Sequence, residues 1–434
     1  MLLLHISDIH FRHPVCATDN DADRPFRALM VQDVRTQVAE LGPVGAILVT
    51  GDIAYKAHPE EYEAAFKWLM ELAKAGGCPQ ERIFVVPGNH DVDRAAITKS
   101  PAVRNVQHAI KTASDAKREK VLLEQFSDAT TGSALCEPLA AYNEFAKHFG
   151  CQVYTPDRLC WHQELKLAEG MFLRLHGLTS TLISGAPQEA GSQNDIRGSL
   201  YLSPLQTVLN PSDGEINLVM SHHPPDWFLD IDAVEDAVQG RALLHLFGHK
   251  HRQRVMREVY FMRFGAGAVN PDRQENGWEP GYNLINLAVD GDVGMVRNLQ
   301  IDARVMKWQT NPDRYVPKLT REGNAIFSHT IGLTNNATKI PKLHDAAKDS
   351  SLLLETSRKA EVEMSSQATR NLVMRFWNLT MSQRREISLK LGLIVEADMK
   401  TPEPERYGRA LLLAGERGLL EQLAQEVEQR ERNL

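Results

Sequence analysis

Five times in the first 251 residues, a short apolar run stops at a cluster of Gly, Asp, Asn or His. Leu2-Leu3-Leu4-His5-Ile6 runs into Ser7-Asp8-Ile9-His10, and Ala46-Ile47-Leu48-Val49-Thr50 into Gly51-Asp52. Ile83-Phe84-Val85-Val86 runs into Pro87-Gly88-Asn89-His90-Asp91. Residues 216–220 run into Ser221-His222-His223-Pro224-Pro225, and 243–247 into Gly248-His249-Lys250-His251. Short β-rich runs bounded by turn residues read as buried strands. Between the first three, residues 27–41 and 59–75 carry apolar side chains at helical spacing. Strand and helix alternate, which makes the base an α/β sheet. In such sheets functional residues gather in the loops at the strand carboxyl ends, where all five clusters sit.

The rest of the chain divides by texture. The interval 92–215 reads as an insertion over the site, with helices near 117–126 and 134–149 and a strand over 172–178. Strands near 259–264, 282–289 and 293–301 complete the sheet region. After about Trp308 the texture changes: residues 310–366 are polar and broken by Pro and Gly, with a charged stretch at 342–366, and read as a linker with some helical content. From 367 an apolar pattern returns. Leu372, Val373, Phe376, Trp377 and Leu379 fall broadly on one helical face. Thr380 or Ser382 caps a second helix, with Ile387, Leu389 and Leu391, that Gly392 ends. Two more helices follow over 404–414 and 418–427. The expected division is a catalytic domain at 1–305, a linker at 306–366 and a small all-α domain at 367–434.

Charge and cysteine content narrow the setting. Lys and Arg number 49 against 56 Asp and Glu, a net charge of −7, which argues against a protein that coats nucleic acid broadly. A local basic patch stays open. None of the five cysteines sits in a CxxC pair, so a disulfide framework is not expected and a reducing cytoplasm fits. The first residues reach Asp8 before a signal-peptide core could be completed. No run approaches the roughly 18 apolar residues of a membrane span, so no membrane partner is expected.

The polar clusters carry the chemistry. Asp8 and His10 are two apart, so both can face one side of an extended strand end. Asp52 and Asn89 each follow a Gly that permits a sharp exit from a strand. With His222, His249 and His251 they make two carboxylates, one amide and four imidazoles, an O/N set suited to divalent first-row metals. Seven groups, with one carboxylate shared, suit two ions. A two-metal site orients a phosphoryl group and generates hydroxide at neutral pH. His90 is left over beside Asn89, a position for a general acid on the leaving oxygen.

These blocks, Asp8-Ile9-His10, Gly51-Asp52, Gly88-Asn89-His90-Asp91, His222 and Gly248-His249-Lys250-His251, resemble the calcineurin-like metallophosphoesterase superfamily over about residues 1–305. The resemblance implies a four-layer α/β/β/α sandwich and hydrolysis by a metal-bound hydroxide. It implies that Asp8, His10 and His251 hold one metal, that Asn89, His222 and His249 hold the other, and that Asp52 bridges them. His90 would stabilise the transition state and protonate the leaving group. The ions expected are Mn²⁺ or Fe, with Zn, Ni or Co as alternatives. Protein Ser/Thr phosphatases of the superfamily carry GDxxDRG and GNHE. Here Gly51-Asp52-Ile53-Ala54-Tyr55-Lys56-Ala57 and a block ending in Asp91 depart from both. The DxHF start with His222-His223-Pro224 looks more like the cyclic-nucleotide phosphodiesterase and nucleotidase branch, and exonucleases of DNA repair stay open.

Around the ligands, Lys250, Arg252, Arg254 and Arg257 form a basic cluster. Lys250 and Arg252, with Arg12 after His10, are the candidates for binding a substrate phosphate, and a solvated strand face is the alternative. His223 either orients a ligand or packs. Asp91 orients its neighbours or caps a turn. The C-terminal bundle is similar to bacterial death-domain-like, effector-associated adaptors, which implies a protein partner; self-association is the alternative. The function expected is hydrolysis of nucleotide phosphodiesters, cyclic or small, by an effector recruited through that bundle. A nuclease acting on nucleic acid and a non-catalytic scaffold are the alternatives.

Overall fold

The computed structural model describes residues 1–431 except 187–193, 210–211, 213, 271–279, 292–296, 334–371, 373–374, 377–378, 380 and 396–402. The chain forms two compact units, Met1–Thr338 and Lys339–Leu434.

In the first unit, strands β1 (Leu2–Ile6), β2 (Val44–Val49) and β3 (Ile83–Val85) run parallel. Helices α1 (Arg24–Leu41) and α2 (Pro59–Gly76) connect them. Every residue of β1 is buried, which is why it is apolar without alternation. The start and stop of α2 are written in its sequence. His58 accepts the Glu60 N–H, Pro59 opens the first turn, and Gly77 ends the helix at φ 66°.

The expected insertion is richer than its sequence pattern. It holds α3 (Arg94–Lys99), α4 (Pro101–Thr112), α5 (Asp115–Ser127), α6 (Ala129–Cys136) and α7 (Ala140–Ala146). Strands β4 (Trp161–Ala168) and β5 (Met171–Gly177) follow. Next come β6 (Glu215–Ser221), α8 (Ile231–Arg241), β7 (Leu244–Phe247), β8 (Arg254–Glu258) and β9 (Phe261–Gly265). The strand expected over 259–264 is therefore a hairpin. Val259 and Tyr260 have β-forming side chains but lie exposed at its turn.

Strands β10 (Gly281–Asp290), β11 (Arg297–Gln309), β12 (Arg314–Pro317) and β13 (Phe327–Leu333) close the unit. The boundary expected at 305 falls inside β11, and residues to 333 belong to the sheet rather than to a linker. The polar texture there has a physical reason. β13 keeps only Ile331 buried and turns its other residues partly or fully to solvent.

The strands form two mixed sheets. One has the order β12-β11-β10-β1-β2-β3 with β13 beside β11, and the other β4-β5-β6-β7-β9-β8. One apolar core joins both sheets and their helices, as in the α/β/β/α sandwich expected. No helix among the described residues is long and apolar enough to cross a membrane. All five cysteines are free.

In the second unit, helices Met381–Lys390, Glu403–Glu416 and Leu420–Glu431 surround Phe376, Ile387, Tyr407, Leu423 and Val427. Leu372 and Leu379 join that core, as the helical spacing predicts. Val373, Trp377, Thr380 and the stretch 342–366 lie outside the described residues.

Candidate metal centre

The five clusters converge at the carboxyl ends of β1, β2, β3, β6 and β7, and the chain is bent sharply to bring them there. Asp8, His10, Asp52, His249 and His251 all have left-handed backbone, with φ of 55°, 52°, 53°, 65° and 49°. Non-glycine residues avoid this region, at a cost of about 1–3 kcal/mol each. Tertiary bonds hold them in it. The Asp8 N–H donates to the Gly51 carbonyl at 3.0 Å, and those of Ile9 and His10 to the Asp52 carbonyl at 2.8 and 2.9 Å. Gly88 and Gly248 serve close approach. A Cβ at Gly88 would lie 2.1 Å from Asp52 Oδ1, and one at Gly248 1.9 Å from Ser7 Oγ.

Two groups of donors result. In the first, Asp8, His10, Asp52 and His251 place one ligand atom each within 4.8 Å of one another. His10 Nε2 lies 3.1 Å from Asp52 Oδ2, and His251 Nε2 lies 3.2 Å from Asp8 Oδ1. Burial opposes ionisation of Asp8, yet the charge and hydrogen bond of His251 hold its carboxyl down at about 2. In the second group, His222, His223 and His249 do the same. Asn89 Oδ1 lies 3.0 Å from His222 Nε2 and 2.9 Å from His249 Nδ1. His222 Nε2 also lies 3.3 Å from Asp52 Oδ2, so Asp52 faces both groups.

The chemistry of this donor set fits divalent cations. His222 Nδ1 donates to the Thr50 carbonyl at 2.8 Å. In the neutral ring, Nε2 therefore points a lone pair at Asn89 Oδ1, Asp52 Oδ2 and His249 Nδ1. Lone pairs facing lone pairs in a buried place need a cation between them. Without a metal a proton takes that role. Burial would lower the His222 pKa, but the charge and hydrogen bond of Asp52 push it up to about 9. Burial drives His249 and His223 well below the usual histidine range, which keeps them neutral. Separations near 3 Å are also those of ligands about 2.1 Å from one ion.

A third group, His13, His58 and Glu60, is less suited. The two rings stack 3.9 Å apart at 9°, so their in-plane lone pairs do not converge on one point.

His90 lies beside the ligands, its ring perpendicular to that of His10 at 4.8 Å between centroids. Its N–H donates to Asp52 Oδ1 at 2.8 Å, and its Nδ1 donates to the Tyr55 carbonyl at 2.9 Å. That bond fixes the tautomer and leaves Nε2 as the working edge. Tyr55 stacks on the ring at 16°.

Two buried carboxylates hold the scaffold. Asp91 accepts from the N–H groups of Gly88, Ile53 and Ala54 and from the Tyr62 hydroxyl. It thus ties the Asn89 loop to the Asp52 loop, the orienting role expected of it. Burial, then the charge of Asp52, push its carboxyl up to about 6. Glu61 was not singled out from sequence. It accepts from the backbone of His13, Tyr55, Lys56 and His58, and its only signal there is its place in the first turn of α2. His223, left open between orienting and packing, bonds Ser180 Oγ through Nδ1 at 2.9 Å.

The centre opens into a cleft of about 750 Å³. Lys250, Arg252 and Arg254 line it. Arg12 does not; its guanidinium carbon lies 4.2 Å from the Tyr55 ring centroid. Lys250 Nζ donates to Asp226 Oδ2 at 2.6 Å. Arg94, Arg197, Asp226 and Trp227 also line the cleft and were not singled out from sequence. They come from the start of α3, a loop and a 3-10 turn, separate segments whose meeting no local pattern announces.

Residues 1–253 match the calcineurin-like phosphoesterase family model, and residues 368–429 match that of the GTPase-associated adaptor domain. No curated protein sequence matches the chain. Among solved structures it is similar to GAP50, the anchor in the inner membrane complex of Plasmodium. The identity is 12% over 78% of this chain and 90% of that one, with a TM-score of 0.38. A Vps29 double mutant from Entamoeba histolytica is 11% identical over 77% of this chain and all (100%) of that one, with a TM-score of 0.29. Vps29 from Chaetomium thermophilum is 11% identical over 76% and 98%, with a TM-score of 0.29.

Proposed function

The chain belongs to the calcineurin-like phosphoesterase family, and from that premise we propose that it is a metal-dependent phosphodiesterase of nucleotides that works with two divalent ions. Asp8, His10 and His251 would hold one ion, Asn89, His222 and His249 would hold the other, and Asp52 would serve both. The observation that carries this reading is the His222 ring, whose Nε2 is turned by the Thr50 carbonyl toward Asn89 and Asp52. Acceptors that face acceptors in a buried place support cation binding at this centre. When bound, the ions supply charge neutralisation at the phosphoryl group and an ionised water as nucleophile.

The chain's own residues do the rest. Asp52 anchors the His90 backbone, so the general acid and the metal ligands share one frame. As the doubly protonated imidazolium, His90 would donate the Nε2 proton to the leaving oxygen and be left as the neutral ring, its remaining N–H at Nδ1 still bonded to the Tyr55 carbonyl. Lys250 and Arg252 at the cleft attract the anionic substrate. Trp227, perpendicular to His249 at a centroid distance of 4.0 Å, lines the cleft and would offer a nucleobase an aromatic contact. The second unit recruits the enzyme to a protein partner. The description of the domain that residues 368–429 match makes a GTPase the first partner to test.

The test is hydrolysis of bis-p-nitrophenyl phosphate by protein loaded with Mn²⁺, Fe, Zn, Ni or Co in turn. Turnover with at least one metal, lost on chelation and regained on reloading, is expected. A protein that binds metal and hydrolyses neither this diester, the monoester, cyclic nucleotides nor single-stranded DNA is a scaffold.

A further inference from the structure

His223 is held at every polar atom but one. It follows the ligand His222 and is fully buried. Its N–H donates to Ser180 Oγ at 3.4 Å, and its Nδ1 lies 2.9 Å from the same oxygen. Its carbonyl accepts from Ser221 Oγ at 2.8 Å. Behind Ser221 runs a chain of bonds in which each member has one role open to it. The Ser221 proton goes to the His223 carbonyl, so Ser221 Oγ accepts from His245 Nε2 at 2.9 Å. His245 Nδ1 accepts from Arg263 Nε at 2.9 Å, and Arg263 Nη1 donates to Glu235 Oε1 at 2.9 Å. Side chains from β6, β7, β9 and α8, with Ser180 after β5, thus hold one residue in place. The atom left over is His223 Nε2, buried and without a hydrogen-bond partner among the described residues. A buried polar atom of that kind calls for an explanation.

The proton on the ring can be placed. Ser180 is fully buried, and its hydroxyl bonds only His223 among the described residues. Having accepted from the His223 N–H, the hydroxyl has one proton to give, and Nδ1 is the acceptor in reach. Burial keeps the His223 ring neutral, so the ring's own proton sits on Nε2. The leftover atom is therefore a donor, which rules it out as a metal ligand. The ring packs against the metal centre. Its centroid lies 4.8 Å from that of His222, 4.4 Å from that of His249, and 5.7 Å from that of Trp227 on the cleft wall. One His223 nitrogen lies within 4.8 Å of a nitrogen of each of the two ligand histidines. An N–H beside bound cations meets a field of the wrong sign unless an anion lies between them. The anion that such a centre draws in is the phosphoryl group.

We propose that His223 is a further catalytic residue, whose Nε2–H donates a hydrogen bond to a non-bridging oxygen of the substrate's phosphoryl group. The inference rests on the phosphodiesterase reading above and deepens it. The bond strengthens as charge gathers on that oxygen in the transition state. His223 keeps its proton throughout, and the proton for the leaving oxygen comes from His90.

The experiment compares the full-length, metal-loaded protein with its His223→Phe and His223→Gln variants. Phe keeps a ring without a donor, and Gln returns an N–H near the position of Nε2. Metal content is read by elemental analysis, orthovanadate affinity by calorimetry, and kcat and KM with bis-p-nitrophenyl phosphate. His223→Phe should keep its metal, bind orthovanadate at least about tenfold more weakly, and lose about 10²-fold in kcat with KM little changed. His223→Gln should recover most of both losses. In zinc-loaded wild-type protein carrying ¹⁵N-histidine, the ring signal that His223→Phe removes should report a proton on Nε2. Metal lost from His223→Phe would make the residue a ligand. Unchanged orthovanadate affinity and kcat would make it a packing residue, and a proton on Nδ1 would remove the donor; each of these overturns the proposal. Weaker orthovanadate binding by His223→Phe in a protein that hydrolyses no diester would sink the phosphodiesterase reading alone. Hydrolysis that His223→Phe leaves unchanged would sink this one alone.

Discussion

The backbone N–H of His90 donates to Asp52 Oδ1 at 2.8 Å, while the other oxygen of Asp52 faces His10 and His222 at 3.1 and 3.3 Å. One carboxylate therefore sets both the place of the proposed acid and the space between the two ligand groups. Binding and proton transfer are mechanically joined through it, so substitutions that separate the two functions are informative.

Asp52→Asn keeps the size of the side chain and removes its charge. The amide leaves one edge that cannot accept, facing either the His90 N–H or the two imidazoles. Turnover of bis-p-nitrophenyl phosphate should fall at least a thousandfold, and metal content by elemental analysis should drop below two ions per chain. A fully active Asp52→Asn protein would end the dinuclear reading.

His90→Ala should leave metal content intact, because His90 bonds the ligand frame through its backbone and its ring only packs against His10. Loss of a general acid typically costs about 10²–10⁴-fold. The loss should be larger for a diester with an alkoxide leaving group than for bis-p-nitrophenyl phosphate, whose leaving group needs little help. Equal losses on both substrates would make His90 a positioning residue instead.

Asp91→Asn tests the tie between the loops. These four partners all donate: Gly88, Ile53 and Ala54 through N–H, and Tyr62 through its hydroxyl. An amide nitrogen in either position meets donors, and a buried unmatched polar group costs about 1–3 kcal/mol. The melting temperature of the first unit should fall, with weaker metal affinity. An unchanged melting curve would show that these bonds are not what holds the Asn89 loop.

The contrast between Asp52 and Asp91 shows where the sequence is readable. Asp8, His10, Asp52, Asn89, His222, His249 and His251 stand at the ends of apolar runs, and a strand end is a local signal. The bonds of Asp91 reach back 37 and 38 positions to Ala54 and Ile53, a fact of the folded chain alone. The same holds for Arg197, which reaches the cleft through Asp226 on another loop. The parallel strands were legible because both their faces are buried. β13 was not, since its partly exposed side chains carry no continuous apolar run. At 254–265, apolar composition pointed to one strand, but the turn at Val259 and Tyr260 makes two.

Phe376→Ala separates the two units. Phe376 is fully buried among Tyr407, Ile387 and Leu423, and its ring meets Tyr407 edge-on at 6.0 Å. Truncating such a side chain costs about 3–5 kcal/mol, a large share of what a core of this size supplies. The calorimetric transition of the second unit should shift down or vanish, while hydrolysis of bis-p-nitrophenyl phosphate stays within twofold. A parallel loss of hydrolysis would mean that the helical unit supports the chemistry itself.

Metal removal should destabilise the first unit as well as silence it. Five of the seven proposed ligands are held in left-handed backbone, and His222 turns a lone pair toward Asn89 and Asp52. Both conditions raise the free energy of the metal-free fold, and a bound dication offsets them. At a free metal concentration of 100 times Kd, binding to the native state alone adds about 2.7 kcal/mol per site. Chelation should therefore lower the melting temperature of the first unit, and titrating Mn²⁺ back should raise it in step with activity. The helical unit, whose core of Phe376, Tyr407 and Leu423 contains no ligand, should melt unchanged in the same scan. Activity that returns without any rise in melting temperature would place the metal somewhere other than among these strained residues.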